Sequence, residues 1–257
     1  MVTSARPERY RLFRRSVRCY LEQSYAHREL VVVLDEAPPA DQRRVLDYLH
    51  RLKRPDIRCF VPEGEKRQIG ALRNISIRAA SGDFVCTWDD DDVSHPRRVE
   101  LEARLMRSRA ADAVYLSSYL VHFTRQKEIF WVDGRLDPTC RPLPGTGMLR
   151  RDVAIYPEFP RTRLQTGTDF VLFDKLKVCN SVWLLHANPS LYVYTRRGGR
   201  MNFTPDAWLR RTIESLGVRG ARLRPRWRAV SAEIARLRLG YRNLRLVSPD
   251  GTSFPVR

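Results

Sequence analysis

Apolar residues along the first half of the chain recur in two alternating rhythms. Tyr10, Phe13, Val17, Tyr20 and Leu21 fall at helical spacing. Leu30 to Leu34 is an unbroken apolar run ending at Asp35, the pattern of a strand buried on both faces. Val45, Leu49 and Leu52 return to helical spacing, and Ile57 to Val61 is strand-like again. Leu72, Ile75 and Ala79 mark a third helix that Ser81-Gly82 ends, and Phe84 to Trp88 makes the next strand. This alternation predicts an α/β fold, a doubly wound sheet with helices on both faces. Such a sheet normally opens with a strand. Only Met1 to Ser4 is left for it, so a very short first strand is expected, or a true start that lies upstream.

The rhythm changes after Ala110. Ala113 to Phe123 and Glu128 to Val132 read as strands joined by a polar turn, and a Pro- and Gly-rich passage runs from Asp137 to Gly147. Thr146 to Arg150 predicts a short strand, and Phe170 to Lys177 a helix with Thr168 or Asp169 at its N-cap. Ser181 to Leu185 and Leu191 to Thr195 are strand-like. From about Asp206 the composition shifts. Trp227, Val230, Ile234 and Leu237 keep helical spacing among arginines, and Pro249-Asp250-Gly251 predicts a closing hairpin. The expected organisation is a mixed-sheet domain over 1–204, in two halves that divide at about 110/111. A C-terminal helical and hairpin extension, rich in arginine, covers 205–257.

Composition narrows the class. The chain has 257 residues and a net charge of +18, enough length for a sizeable core and enough positive charge to imply an acidic partner. No apolar stretch approaches the ~20 residues of a membrane span, and no secretory leader pattern is visible. Cys19, Cys59, Cys86, Cys140 and Cys179 show no C-x-x-C spacing, which argues against a zinc site or a disulfide framework. Cys59 and Cys86 are expected as small core residues, and the expected compartment is the reducing cytoplasm. There is no zinc finger and no RNA-recognition signature, so nucleic acid is not an expected partner.

The candidate chemistry lies at Asp89, Asp90, Asp91 and Asp92, directly after the Phe84 strand. Ligands of open α/β sheets bind outside the carboxyl ends of strands. Four adjacent anions repel one another, and a cation relieves that. An all-oxygen set suits Mg²⁺ or Mn²⁺, which typically take one or two carboxylates plus substrate phosphates. The plain alternative, Asp92 or Ser94 capping a helix that Pro96 opens, accounts for one carboxylate and not four. If the strand continues through them, Asp89 and Asp91 share a face.

In their order these pieces resemble the family-2 glycosyltransferases of GT-A fold. Val32-Val33-Leu34-Asp35-Glu36-Ala37 resembles the family's strand ending in Asp-Asp-Gly-Ser. Gly70-Ala71-Leu72-Arg73-Asn74 resembles its Gly…Ala-Arg-Asn helix, and Trp88 to Asp92 with Pro96 its Leu-Asp-x-Asp-Asp…Pro motif. Gly167-Thr168-Asp169-Phe170 resembles its Glu-Asp site. The sequence departs at Val2-Thr3-Ser4-Ala5-Arg6, where the family has Pro-Thr-Tyr-Asn-Arg. It departs again at Leu34 and at Thr168, which stand where acids are common.

The resemblance implies roles, with a nucleotide-binding half to about 110 and an acceptor half from about 111 to 204. Thr3, Asp35, Arg73, Asp89 and Asp90 would contact the nucleotide sugar, Asp35 at the base or ribose and Arg73 at the diphosphate. Asp91 would be the direct metal ligand, with Asp89 supporting. Asp169 would be the catalytic base, and it equally suits a helix N-cap. Asn74 is expected to support local backbone and Asp92 to be a structural cap. His95 is expected exposed and His186 in a satisfied loop. Arg196, Arg197 and Arg200 beside Gly198-Gly199 read as a basic loop, either a lid or an ordinary turn. Trp131, Met148 and Trp183 are expected in the core rather than in an acceptor pocket.

The implied reaction is metal-dependent, inverting sugar transfer from a nucleotide-diphosphate sugar to an acceptor hydroxyl, in polysaccharide or glycolipid synthesis. The acceptor would be a saccharide or a lipid-linked molecule. A nucleotidyltransferase is the alternative enzyme, but Met1 to Arg11 contains no Gly for a phosphate loop. A non-catalytic basic protein binding nucleic acid or membrane is the alternative class. Arg219, Arg222, Arg224, Arg226 and Arg228 suggest a peripheral contact with an anionic membrane face. The Trp227 to Leu237 stripe would either insert there or pack on the protein's own core.

Overall fold

A computed structural model describes residues 1–35, 37–64, 67–136, 141–158, 168–197 and 206–256, with backbone alone at 179 and 206–208. The first half runs β1 (Val2–Thr3), α1 (Pro7–Leu21), β2 (Leu30–Leu34), α2 (Pro39–Arg51), β3 (Ile57–Phe60), α3 (Ile69–Ala79), β4 (Phe84–Cys86), β5 (Val93–Ser94) and α4 (Arg98–Ser108). The second half runs β6 (Ala113–Leu116), β7 (Ser118–Phe123), β8 (Glu128–Asp133), β9 (Gly147–Arg150), α5 (Thr168–Cys179), β10 (Val182–Leu185) and β11 (Tyr192–Arg196). The chain closes with α6 (Asp206–Leu216), α7 (Gly220–Leu223), α8 (Trp227–Arg236), β12 (Arg245–Val247) and β13 (Ser253–Pro255).

The strands form three sheets, in the orders β1-β2-β3, β10-β6-β9-β4 and β13-β12-β8-β7-β11-β5. The first is parallel throughout, with Val2 opposite Val33 and Leu30 opposite Ile57. Its central strand β2 is buried at every position, as its unbroken apolar run requires. The very short first strand is present: Met1's amine donates to Val31 O at 2.8 Å, and Thr3 O accepts from Asp35 N–H at 2.7 Å. Residues 113–123, expected as one strand, divide at Ser117. Its carbonyl accepts from Gly134 N–H at 2.7 Å, and β6 and β7 enter different sheets.

The C-terminal segment is woven into the rest. β12 pairs in parallel with β8 and in a hairpin with β13, as the Pro249-Asp250-Gly251 turn predicts. Val230, Ile234 and Leu237 of the α8 stripe are buried in one cluster with Phe13 and Val17 of α1 and Val32 of β2. The insertion reading of that stripe is therefore overturned. Fully burying one side chain such as Ile234 is worth about 1.5–3 kcal/mol, so the stripe serves the protein's own core. The expected boundary at 204/205 falls outside the described residues. No described helix is long and apolar enough to cross a membrane.

Candidate active site

The acidic loop hangs from α1. β4 ends at Cys86, so the strand does not continue through the aspartates, which sit on a bend leading into β5. Three contacts tie the loop to α1. Trp88 Nε1 donates to Ser16 O at 3.3 Å, Ser16 Oγ to Asp89 O at 2.8 Å, and Arg15 Nη2 to Asp91 O at 2.5 Å. Burial still alternates: Asp90 and Asp92 are buried, while Asp89 and Asp91 are partly open.

Each carboxylate has a distinct environment. Asp90 Oδ2 accepts from Thr3 Oγ1 at 2.6 Å and from Arg9 Nε at 3.0 Å, and Arg9 Nη2 takes Oδ1. Both Asp90 oxygens are thus tied to the rim that Thr3 and Arg9 build. Asp92 does not cap a helix. α4 starts at Arg98 without a side-chain cap, and Asp92 accepts instead from Thr195 N–H at 2.7 Å and from the Tyr192 hydroxyl. It fastens the loop to β11. Asp91 accepts no side-chain hydrogen bond from a described residue, and Arg9 Nη2 stands 3.3 Å from its Oδ2. Burial, then the Asp90 charge, pushes the Asp91 carboxyl up to about 7. Burial also raises Asp89, against the pull of Arg73.

Arg73, on α3, joins the loop to α5. Its Nη1 donates to Asp169 Oδ1, its Nη2 lies 3.6 Å from Asp89 Oδ1, and its guanidinium covers the Tyr156 ring at 5.0 Å. Asp169 lies in the first turn of α5, after Thr168. Asn74 braces the same region, as expected: its amide donates to Tyr156 O at 2.9 Å and accepts from Tyr156 N–H at 2.9 Å. Gly70 is required there, because a Cβ would stand 2.4 Å from Pro157 O. Asp35 reaches the site through its backbone bond to Thr3, which itself touches Asp90. The structure thus brings Thr3, Asp35, Arg73, the four aspartates and Asp169 to one end of the first two sheets.

Sequence reasoning missed several residues that shape this end. Arg9 and Arg15 of α1 bear on Asp90 and Asp91. Arg98 is wholly buried and clasps four groups around the loop: Thr87 O at 3.2 Å, Ser94 Oγ at 3.0 Å, Gly145 O at 2.9 Å and Glu102 at 3.0 Å. Its guanidinium also packs 4.8 Å from the Tyr192 ring centre. Gly145 approaches so closely that a Cβ there would lie 2.3 Å from Tyr192 Oη and 3.0 Å from Asp89 Oδ2.

Other candidates stand elsewhere. His95 is half-buried rather than exposed, because Glu233 of α8 pairs with it at 3.4 Å. His186 Nδ1 meets Ser117 Oγ at 2.8 Å, a satisfied loop histidine. Arg196 is buried at the end of β11 rather than in a loop. Arg197 donates to Glu8 O at 3.2 Å, and 198–200 lie outside the described residues. Trp131 and Met148 are core residues, but Trp183 is 39% exposed with Arg109 stacked on it at 4.5 Å. Cys59 and Cys86 are half-buried free thiols.

A divalent cation fits this donor set. Asp89, Asp90, Asp91, Asp92 and Asp169 face three guanidiniums, those of Arg9, Arg15 and Arg73, since Arg98 is matched by Glu102. The negative excess and the partly open Asp91 suit a hard cation with oxygen ligands. Among the described residues no three acidic, His or Cys side chains converge to enclose one. A cavity of about 490 Å³ starts at Arg73, Asp89 and Tyr156 and runs between the first sheet and β4. Of the acidic residues of the site, Asp89 lines it and Asp90, Asp91 and Asp169 do not.

A helix-flanked mixed sheet with an acidic loop at a strand's carboxyl end defines the GT-A class of fold. Residues 5–158 match Glycosyl transferase family 2, and the chain belongs to that family. Among solved structures, S. aureus TarS 1–349 in complex with UDP superposes with a TM-score of 0.54 at 15% identity, covering 93% of this chain and 65% of that one. The same TarS segment is also known in complex with UDP-GlcNAc, at 0.52 and 14% identity, covering 92% of this chain and 66% of that one. A mannosyltransferase from Pyrobaculum calidifontis, in complex with GDP-Man and Mn²⁺, gives 0.56 at 13% identity, covering 92% and 68%. The chain thus spans somewhat under two thirds of the TarS segment's length. No curated protein matches it.

Proposed function

We propose that the protein transfers a sugar from a nucleotide-diphosphate sugar to an acceptor hydroxyl, with inversion and with a divalent cation, Mg²⁺ or Mn²⁺. The observation that carries this reading is the convergence of Arg73, Asp169 and the Asp89–Asp91 loop at one sheet end. Donors seen in complex with the GT-A neighbours support it: UDP-GlcNAc for TarS, and GDP-Man with Mn²⁺ for the mannosyltransferase.

In this reading Thr3 and Asp35 flank the nucleoside and Arg73 takes the diphosphate by charge-assisted bonds. Asp91 and Asp89 would hold the cation, and Asp90 the Thr3–Arg9 rim against the ribose. The bound cation would offset charge on the departing diphosphate. Asp169 accepts the proton of the acceptor hydroxyl as its oxygen attacks the anomeric carbon. The bond from that carbon to the diphosphate oxygen breaks, and its electron pair leaves with the diphosphate. The acceptor is a saccharide or lipid-linked hydroxyl of polysaccharide or glycolipid synthesis.

A thermal-shift screen of UDP-, GDP- and dTDP-sugars with and without Mn²⁺ tests the reading. A ligand at 100 times its dissociation constant stabilises by about 2.7 kcal/mol. Stabilisation by one nucleotide sugar only with Mn²⁺ is expected, and no shift with any of them would overturn it.

A further inference from the structure

The C-terminal arginines play no part in that site. Arg219, Arg222, Arg224, Arg226 and Arg228 fall within ten residues across α7 and the start of α8, and all five are exposed. Each is without an acidic ion-pair partner among the described residues. Asp250 beneath them is occupied: it accepts from Gly220 N–H at 2.8 Å, from Thr252 N–H at 3.1 Å and from the Ser248 hydroxyl.

The segment is also held rigidly. Leu223, Val230 and Ile234 are buried beneath it. Trp227 and Phe254 stack with ring centres 5.2 Å apart and planes 10° apart. Arg224 lies 5.9 Å over the Phe254 ring, Arg228 5.6 Å over Trp227, and Arg226 6.0 Å over Trp131. Three of the five guanidiniums are therefore fixed on aromatic supports, and Arg219 is held by Glu214 O at 3.1 Å, so the platform is ordered with its charge unneutralised.

The aromatic supports decide between anionic partners. Single-stranded nucleic acid is held by free aromatic faces on which bases stack. Here Trp227 and Phe254 already stack on each other and carry guanidiniums. An arginine platform edged by a half-buried Trp suits the headgroup layer of a bilayer, where Trp and Arg both find polar and apolar surroundings. We propose that residues 219–228 dock the protein electrostatically on an anionic lipid bilayer. Trp227 lies at headgroup level, and the α8 stripe stays in the protein core. This rests on the charge and packing of the C-terminal segment and not on the transfer reaction.

Flotation with phosphatidylglycerol-containing and pure phosphatidylcholine vesicles tests it on the full chain. One variant changes Arg219, Arg222, Arg224, Arg226 and Arg228 to Gln. A control of equal charge changes Arg43, Arg51, Arg78, Arg104 and Arg125, all exposed elsewhere. At low salt the native chain should float with anionic vesicles alone. Its partition should fall about fivefold for each platform arginine removed. The control should lose less than one such step. An R222Q/R224Q pair gives the same reading should the five-site variant fail to fold. Equal loss in platform and control, retention on neutral vesicles, no retention on anionic ones, or tighter platform-dependent binding to a single-stranded oligonucleotide would each overturn the proposal.

Discussion

Arg73 and Asp169, 96 positions apart, form an ion pair whose cation also faces Asp89 at 3.6 Å. One guanidinium is thus shared between the candidate base and the acidic loop. A diphosphate is a stronger bidentate partner for arginine than a single carboxylate. Donor binding should draw Arg73 toward the phosphates and release Asp169 toward the acceptor. Asp169→Asn should therefore keep donor affinity by calorimetry while transfer falls by roughly 10² to 10⁴. Near-native turnover in that variant would reduce Asp169 to a partner of Arg73.

Neighbouring aspartates should answer differently to the same change. Asp91 is partly open and its side chain makes one ion pair, with Arg9 at 3.3 Å, so Asp91→Asn should abolish Mn²⁺-dependent nucleotide-sugar binding and leave the melting temperature nearly intact. Asp92 accepts from two donors, Thr195 N–H and the Tyr192 hydroxyl. Asp92→Asn turns one acceptor into a donor facing a donor, a loss of about 1–3 kcal/mol. Thermal melts and Mn²⁺ titrations of both variants check this, and the opposite pattern would move the metal ligand to Asp92.

These contrasts show which parts of the site the chain discloses. The aspartates stand out because they sit where an apolar rhythm ends, and Arg73 and Asp169 because Gly70 to Asn74 and Gly167 to Phe170 resemble family motifs. Arg98 does not. Paired with Glu102 one turn on, it reads as an ordinary solvated helix pair, and only the folded chain shows it buried against Gly145 and Tyr192. Arg9 and Arg15 are hidden among the many other arginines. The break at Ser117 was equally illegible, since two serines between apolar runs do not by themselves end a strand and only the Gly134 contact divides it. The α8 stripe had two readings on sequence grounds because periodicity does not say what covers an apolar face.

Gly145 offers a test of how closely the loop is fitted. A Cβ there would lie 2.3 Å from Tyr192 Oη, and Tyr192 is buried and cannot swing away. Gly145→Ala should cost about 1–3 kcal/mol by overpacking. It should also weaken donor binding, because Asp89 Oδ2 would be 3.0 Å from the new methyl. Tyr192→Phe added to Gly145→Ala removes the clashing oxygen and should recover part of the stability. A Gly145→Ala protein with native melting and native donor affinity would show that the loop has slack.

Acid stability should report on His122, which lies on β7 with neither ring nitrogen hydrogen-bonded to a described residue and its ring edge-on to Tyr241 at 4.8 Å. Burial, and then the Arg15 charge, lower its pKa from 6.5 to about 4. The sign follows from linkage. Between those values the unfolded chain binds a proton that the folded chain refuses, so the contribution is present above pH 6.5 and lost as pH falls toward 4. The full loss is about 3 kcal/mol at 1.36 kcal/mol per pKa step. Urea melts of the native protein and of His122→Phe between pH 7 and pH 4 should show a shallower acid decline in the variant, whatever its stability at pH 7. Parallel declines would mean that His122 takes up its proton in the folded state.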